Sequence, residues 1–332
     1  MTEASASTSW HIYQGTNAAR PGGPPRIPPP PPWRTPKARP GSAIAVTEME
    51  ADFQPFLADD ETRHMVNAAL LLRRPLLVTG NPGTGKTRLA YAVAHELNLG
   101  PVLRWSINTS STLRDGLYDY DAIGRLQATA PGADGAPARA SALGDFLTLG
   151  PLGTALLPWD RPRVVLVDEI DKSHVDLPND LLHVFEDGQF PIRELLRAES
   201  AERSATVIGH GRVAIPDGIV RCSEFPLVIM SSNGEREFPA AFRRRCLELH
   251  VKPPSAERLG EIIAEHFSKG RFAGGLPDGW QRLCKEFVER RDRDALATDQ
   301  LMNAIYLRTC GVGKDPVWDQ VLASVWHALS DA

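Results

Sequence analysis

The sequence predicts an α/β domain built on a parallel β-sheet, followed by a smaller helical domain. Short, mainly apolar runs alternate with segments of helical character between residues 61 and 251. Such runs are typical of parallel strands that helices cover on both faces of the sheet. From Ser255 onward the apolar residues recur at helical spacing instead. A chain of 332 residues also has the length expected of about two domains.

Five runs are expected to form the strands of the sheet. They are Pro75–Val78, Val102–Ser106, Val164–Val167, Leu227–Met230 and Leu247–Val251. A helix is expected before the first strand, at Glu61–Leu72, and another after it. The second helix is indicated by the apolar residues Leu89, Val93 and Leu97, which recur at helical spacing up to Gly100.

The helical domain is predicted from capping and periodicity. Thr298 is expected to be the N-cap of one helix. One face of the last helix is formed by Trp318, Val321, Leu322, Val325 and Leu329. The glycine- and alanine-rich stretch Ala128–Ser141 in the first domain is expected to be a mobile surface loop.

The chain begins with a proline-rich arm. Proline occupies 10 of the 20 positions from Pro21 to Pro40, so this segment is expected to be extended rather than folded into helix or strand. It is either a stiff spacer or a docking peptide. The large aromatic residues Trp10, Tyr13 and Trp33 favour docking, with the arm anchored on a neighbouring subunit or a partner.

Composition limits the class of protein. A net charge of −4 supplies no general attraction to nucleic acid. The four cysteines lack the density of a disulfide framework and the spacing of metal ligands, so reduced thiols in the cytoplasm are expected. The first residues do not resemble a signal peptide, and no apolar run approaches the roughly 20 residues needed to span a bilayer.

The strongest motif lies between the first strand and the helix that follows it. Residues 80–87, GNPGTGKT, fit the pattern G-x-x-x-x-G-K-[ST], in which backbone N–H groups surround the phosphates of a nucleotide. The lysine reaches the β- and γ-phosphates, and the last threonine is a ligand of Mg²⁺. The predicted nucleotide-binding residues are Gly80, Asn81, Pro82, Gly83, Thr84, Gly85, Lys86, Thr87 and Arg88.

Two adjacent carboxylates follow the third predicted strand. Asp168 and Glu169 end the apolar run VVLVDE, where buried carboxylates are costly unless something pairs with them. Mg²⁺ supplies that pairing: Asp168 is expected to hold the metal with Thr87, and Glu169 to polarise the attacking water. The alternative is a solvated loop after a strand. Asp171 is interpreted as an ordinary helix-start residue.

Polar residues also follow the fourth predicted strand. Ser231, Ser232 and Asn233 arrive at the carboxyl end of the sheet, where ligands bind in parallel α/β folds. Asn233 is therefore expected to orient water against the γ-phosphate, although Ser-Asn-Gly is also a favourable turn sequence.

An arginine run precedes the last strand. Arg243, Arg244 and Arg245 are interpreted in three ways: as a solvated face, as a phosphate-backbone contact, or as the source of an arginine finger that acts on the nucleotide of the next subunit.

Taken together, these motifs resemble the MoxR-like ATPases of the AAA+ superfamily. The resemblance rests on GNPGTGKT, on VDEIDK followed by LPNDLLHVFEDGQFPI, on SSNGEREFPAAFRRRC and on the helical tail. It implies a doubly wound sheet of strand order 5-1-4-3-2 with a helical lid, and nucleotide bound between the subunits of a ring, commonly a hexamer. It also implies that Asn233 is the sensor-1 residue and that Arg244 or a neighbour is the finger. Residues 111–127 lie where such proteins carry an insert that faces the central pore.

The resemblance divides the chain into three parts. The sequence departs from the family pattern at one position. The parts are the arm (residues 1–43), the ATPase core (44–252) and the lid (253–332). The sensor-2 position, often arginine, falls at Thr298, Asp299 and Gln300. Either Arg291 or Arg293 substitutes for it, or the lid senses phosphate weakly.

The predicted function is Mg²⁺-dependent hydrolysis of ATP by a ring that remodels or activates a protein partner, in this family often a von Willebrand A-domain protein. The main alternative is a signalling switch in which ATP binding drives assembly. A nucleic-acid motor is disfavoured by the charge, and a GTPase by the lack of an Asn-Lys-x-Asp element. A small-molecule kinase suits the phosphate loop, but the Asp168–Glu169 pair suits water activation better.

Overall fold

The computed structural model describes residues 10–38, 43–46, 53–129, 142–198, 203–268, 276, 279–294 and 296–327. The strands are β1 (Leu76–Thr79), β2 (Leu103–Ser106), β3 (Tyr118–Tyr120), β4 (Leu147–Leu149), β5 (Val164–Asp168), β6 (Gln189–Pro191), β7 (Ser204–Val207), β8 (Gly211–Ala214), β9 (Ile219–Arg221), β10 (Leu227–Ser232) and β11 (Leu247–His250). The helices are α1 (Asp60–Leu72), α2 (Lys86–Glu96), α3 (Leu113–Leu117), α4 (Ala122–Thr129), α5 (Pro151–Ala155), α6 (Leu177–Asp187), α7 (Arg193–Arg197), α8 (Ala240–Arg243), α9 (Ala256–Ser268), α10 (Trp280–Asp294), α11 (Thr298–Thr309) and α12 (Trp318–Val325).

The central sheet has five parallel strands in the order β11-β1-β10-β5-β2. Counted along the chain as strands 1 to 5, this order is 5-1-4-3-2, which confirms the predicted fold class. Every residue of β5 and β10 is buried, because these strands lie inside the sheet with helices on both faces. Since all five strands point the same way, the polar residues that follow them meet at one edge.

Each face of the sheet packs against its own apolar core. One face contributes Val165 and Val167, which pack with Trp159 and Phe185. The other contributes Leu166 and Ile229, which pack with residues of α1 and α2, including Leu89 and Val93. The alternation of β5 residues between the two cores explains why the strand is apolar throughout.

A second sheet is formed by two segments of the chain, one between β2 and β5 and the other between β5 and β10. It has the strand order β3-β4-β7-β8, and β6 pairs with β9 in a separate two-stranded sheet. Helix α4 lies at its edge and exposes Ile123 and Leu126, each 72% accessible. The predicted surface loop Ala128–Ser141 begins within α4, since that helix continues to Thr129. Residues 130–141 lie outside the described residues.

The C-terminal helices α9 to α12 enclose a third apolar core, in which Phe287 packs edge-to-face on Trp326. The predicted cap of α11 is wrong by one residue. The N-cap is Ala297, because the Gln300 side chain folds back and accepts its backbone N–H at 2.8 Å, and Thr298 is the first helical residue. On the last helix Leu322 is buried as expected, whereas Leu329 lies outside the described residues. No helix in the described ranges is long and apolar enough to cross a membrane.

The N-terminal arm runs over the surface of the first domain. Ile12 and Tyr13 are buried in the core that covers α1 and α2, and Tyr13 has no exposed surface. The expectation that Tyr13 anchors the arm on another surface is therefore corrected: its anchor is the chain's own core. Trp10 and Trp33 differ, with 48% and 78% of their surface exposed.

Candidate functional site

The glycine-rich loop connects β1 to α2 at the carboxyl edge of the central sheet. Gly80 has a φ of +148°, and a Cβ at this position would collide with the carbonyl oxygen of Val251. At Gly83, a Cβ would lie 2.7 Å from the backbone nitrogen of Thr298 in the helical domain. These two glycines are thus needed for close approach of backbone to backbone as well as for conformation.

Lys86 begins α2 and is buried beneath the loop. Its Nζ donates to the carbonyl oxygens of Gly80 at 2.7 Å and Asn81 at 2.9 Å. The pKa of Lys86 lies below its ordinary value, because burial lowers it more than the charges of Asp171, Asp168 and Glu169 raise it. The lysine is thus held against the loop by carbonyl dipoles and faces three carboxylates across the site.

Asp168 is the buried last residue of β5, and three side chains converge on it. Its Oδ1 accepts from the hydroxyls of Thr87 at 3.0 Å and Ser231 at 2.6 Å. Its Oδ2 pairs with the Arg104 guanidinium at 2.6 Å. The adjoining Thr87 hydroxyl and Asp168 carboxylate form an oxygen donor set of the kind Mg²⁺ prefers, so these residues fit the predicted ion.

Glu169 has a left-handed backbone conformation, with φ of 61° and ψ of 49°. This conformation is uncommon for a residue other than glycine and is strained unless the surroundings hold it. Its backbone N–H donates to the Ser231 hydroxyl at 2.9 Å, which ties it to β10. Its half-exposed carboxylate forms an ion pair with Lys172 at 2.9 Å.

Asp171, interpreted from the sequence as a helix-start residue, has a second role. It lies in the middle of the 3₁₀ turn Ile170–Lys172 and not at its start. It is buried, and its Oδ2 accepts from the backbone N–H groups of Asn233 at 2.8 Å and Glu235 at 3.2 Å. The loop after β10 is thereby tied to the turn after β5. Asn233 and Glu169 both line the same cleft.

The phosphate loop and the acidic pair line one cleft of about 770 Å³. Its lining includes residues 82–88 of the loop together with Asp168, Glu169 and Asn233, but not Gly80 or Asn81. Apolar side chains also line it, from Phe56, Leu57, Val251, Ile262 and Met302. Gln54 to Leu57, which we call the base-side wall, lie next to the loop. Charged and apolar side chains thus face the same cleft, as binding of a nucleotide requires.

Residues 75–246 match the profile of the AAA domain, dynein-related subfamily. The chain belongs to this family. It is also 26% identical over 243 residues to the chaperone protein ClpB of Pseudomonas putida, a match that covers 73% of this chain and 24% of ClpB. It therefore spans about a quarter of the length of that relative. A solved structure of the FIGL-1 AAA domain in complex with ADP has 17% identity and a TM-score of 0.38, covering 78% of this chain and 74% of that one.

In this AAA domain the C-terminal helices line one side of the cleft. The arginines expected to substitute at the sensor-2 position, Arg291 and Arg293, are not among the residues that line it. Arg291 donates to the carbonyl oxygen of Pro254 at 2.7 Å. The lid instead contributes Arg258 from α9, with Thr298 and Asp299 from α11. Burial lowers the pKa of Arg88 below its ordinary value, and the charge of Asp299 offsets part of that decrease.

The three consecutive arginines lie away from the chain's own cleft. Arg243 forms two contacts with Glu248, at 2.8 and 3.0 Å, and Arg245 pairs with Glu186. The Arg244 side chain is exposed, and within the described ranges its guanidinium has no hydrogen bond or ion pair. Of the three, Arg244 is therefore the one whose guanidinium has no partner in the described ranges.

Sequence reasoning missed two residues of the site. Arg104 reaches the Asp168 carboxylate from the edge strand β2. In the alternating sequence Leu-Arg-Trp-Ser nothing distinguishes it from an ordinary exposed strand residue. Arg258 lines the cleft from the first lid helix, and no local motif distinguishes it from other helical arginines.

Proposed function

We propose that this AAA domain hydrolyses ATP with Mg²⁺. The observation that carries the proposal is the convergence of the phosphate loop with Asp168 and Glu169, with the Thr87 hydroxyl 3.0 Å from the Asp168 carboxylate. A loop that binds phosphate needs no acidic partner. An acidic pair beside the loop, one member buried and the other half-exposed, matches hydrolysis by activated water.

Each side chain has a role in this proposal. Backbone N–H groups of residues 83–87 and the Lys86 ammonium bind the phosphates. Thr87 and Asp168 hold Mg²⁺, which neutralises charge on the phosphate oxygens. Glu169 accepts the proton of the attacking water. The side chain of Asn233, a residue whose backbone N–H donates to Asp171, orients that water.

We further propose a MoxR-like ring in which Arg244 acts on the nucleotide of the adjacent subunit. Its exposure and lack of an intrasubunit partner support this role. The ring is a hexamer by resemblance to this family. Exposed Ile123 and Leu126 on α4 lie in the segment that resembles the pore-facing insert, and they support contact with a protein client. A von Willebrand A-domain protein is the client class that the resemblance favours.

A signalling switch remains the second candidate function. The ion pair between Lys172 and Glu169 engages the carboxylate that hydrolysis requires, which favours slow turnover after ATP binding. In a switch, assembly follows ATP occupancy, and hydrolysis only resets it.

Mass photometry with and without ATP tests the assembly. We expect ATP to convert wild-type protein to a larger ring, and Glu169→Gln to retain that ring for longer. Persistence of the monomer under both conditions, with ATP bound, would contradict the ring.

The first prediction concerns Lys86. Lys86→Ala should raise the dissociation constant for ATP by about 10- to 100-fold, the loss typical of a hydrogen bond to a charged group. Lys285→Ala removes an exposed lysine on α10 and is the matched control. Titration with a fluorescent nucleotide measures the dissociation constants of both variants. Unchanged affinity in Lys86→Ala would contradict the assignment of this lysine to the phosphate site.

The second prediction concerns Asp168. Asp168→Asn should raise the Mg²⁺ concentration that gives half-maximal hydrolysis by at least about tenfold, the smallest loss typical of substitutions around a metal. An amide oxygen carries less negative charge than a carboxylate, so it binds the ion more weakly. Asp176→Asn, at an exposed position, should leave the Mg²⁺ dependence unchanged. An identical Mg²⁺ profile in Asp168→Asn would exclude it as a ligand.

A further inference from the structure

We propose that residues 12–20 of the arm position the base-side wall of the cleft, so that docking of the arm and nucleotide affinity are coupled. This inference rests on the proposed nucleotide site. It assigns a positioning role to Asn17, which is far in sequence from the phosphate loop and from the acidic pair.

The arm is fastened first to α1. The buried Asn67 side chain accepts the backbone N–H groups of Ile12 at 2.6 Å and Tyr13 at 2.9 Å, and its Nδ2 donates to the Tyr13 carbonyl at 2.8 Å. The backbone of an extended segment would otherwise form its hydrogen bonds with water or with a neighbouring strand, and here the Asn67 side chain supplies those partners. Tyr13 enters the core beside it.

The arm is fastened next to the end of α2, the helix that begins at the phosphate loop. The buried carboxylate of Glu96 accepts the backbone N–H groups of Gln14 at 2.5 Å and Thr16 at 2.7 Å, and the Thr16 hydroxyl at 3.1 Å. Arg20 N–H donates to the Glu96 carbonyl at 3.1 Å. A buried carboxylate needs such donors, and the arm supplies them.

From these two anchors the arm reaches the base-side wall. The Asn17 side chain oxygen accepts the backbone N–H of Phe56 at 3.0 Å. Next to it, Gly15 is packed so closely on Ala58 that an added Cβ would lie 2.8 Å from the Ala58 methyl group. The arm therefore holds the wall by a hydrogen bond to Phe56 and packs against Ala58, the residue that follows the wall.

The wall in turn touches the phosphate loop. The Phe56 ring lies 3.5 Å from the position that a Cβ on Gly85 would occupy, and Phe56 is 9% exposed. A shift of Phe56 therefore alters both the apolar lining of the cleft and the packing of the loop. Coupling is reciprocal, so nucleotide binding should stabilise arm docking by the same factor that docking strengthens nucleotide binding.

The position of Asn17 allows a clean substitution. Its backbone has a φ of 56°, which alanine adopts only with strain. Asn17→Gly removes the acceptor without that strain, and Asn17→Asp keeps an oxygen acceptor at a residue that tolerates this conformation. We expect Asn17→Gly to weaken ADP affinity by about two- to tenfold, the range typical of one hydrogen bond, and Asn17→Asp to restore it.

Kinetic, stability and hydrogen-exchange measurements distinguish a positioning role of Asn17 from a general loss of stability. In Asn17→Gly the KM for ATP should rise and kcat at saturating ATP should stay unchanged, with a melting temperature close to that of wild type. Lys37→Ala is the matched control, because it breaks only the exposed arm contact to Asp187, at a distance from the wall. In wild type, ADP should slow hydrogen exchange at the amides of residues 12–17 and of Phe56, and Asn17→Gly should abolish that effect.

Each outcome bears on the inference. Equal ADP affinity and equal exchange protection in wild type and Asn17→Gly overturn the coupling while leaving the proposed function intact. A fall in kcat with unchanged KM also overturns it. If wild type binds no nucleotide, the proposed function fails and the coupling fails with it.

Discussion

Glu169→Gln should bind ATP with nearly wild-type affinity and hydrolyse it about 10²- to 10⁴-fold more slowly, the contribution typical of a general base. Glutamine keeps the size of the side chain, but its amide cannot accept the proton of the attacking water. The backbone contact of residue 169 with Ser231 does not depend on the side chain, so the geometry of the loop should survive. Phosphate release and nucleotide titration measure the two effects separately.

A matched control is Glu289→Gln, an exposed residue of α10, which should hydrolyse ATP at the wild-type rate. If Glu169→Gln loses ATP binding as completely as Lys86→Ala, the assignment of Glu169 as the base is wrong. Undiminished hydrolysis in Glu169→Gln would contradict it equally.

Arg244→Ala should slow hydrolysis by about 10³-fold or more, while affinity in the variant's own cleft stays close to normal. The separation of binding from catalysis follows from the position of the arginine run, which does not line its own subunit's cleft. Arg243→Ala is the matched control: it removes the neighbouring exposed arginine, whose partner is Glu248 in the same chain. Its hydrolysis should change little.

Mixing variants tests whether this arginine acts between subunits. Arg244→Ala cannot supply the finger but retains Glu169, whereas Glu169→Gln supplies the finger and lacks the base. Some interfaces of a mixed ring combine an intact Glu169 with an intact Arg244, so activity should exceed that of either variant alone. Inactive mixtures, with mixed rings verified by co-purification of differently tagged variants, would contradict a finger acting in trans. The triple variant Arg243/Arg244/Arg245→Ala extends the test to the neighbouring arginines.

Local motifs predicted much of the central domain. The loop at residues 80–87 and the carboxylates that end β5 were recognisable because their chemistry requires particular residues at fixed spacing. The apolar runs predicted the positions of the five strands, because strands buried on both faces admit few polar residues. The strand order, by contrast, came from the family resemblance and not from the spacing of the runs.

Contacts between distant segments were not predictable in this way. Arg104 reaches Asp168 across 64 positions, and Asn17 reaches Phe56 across 39. Neither pair leaves a periodic or local signal, since only the folded sheet and the docked arm bring the partners together. Asp171 was underestimated for the same reason: its acceptor role depends on β10 lying beside β5.

The most direct test of the account is release of phosphate from ATP by the wild-type protein, measured with and without Mg²⁺ beside Lys86→Ala. We predict release that requires Mg²⁺ and is nearly lost in Lys86→Ala at the same ATP concentration. No release by the assembled wild-type protein, or equal release by Lys86→Ala, would contradict the assignment of this cleft as an ATP-hydrolysing site.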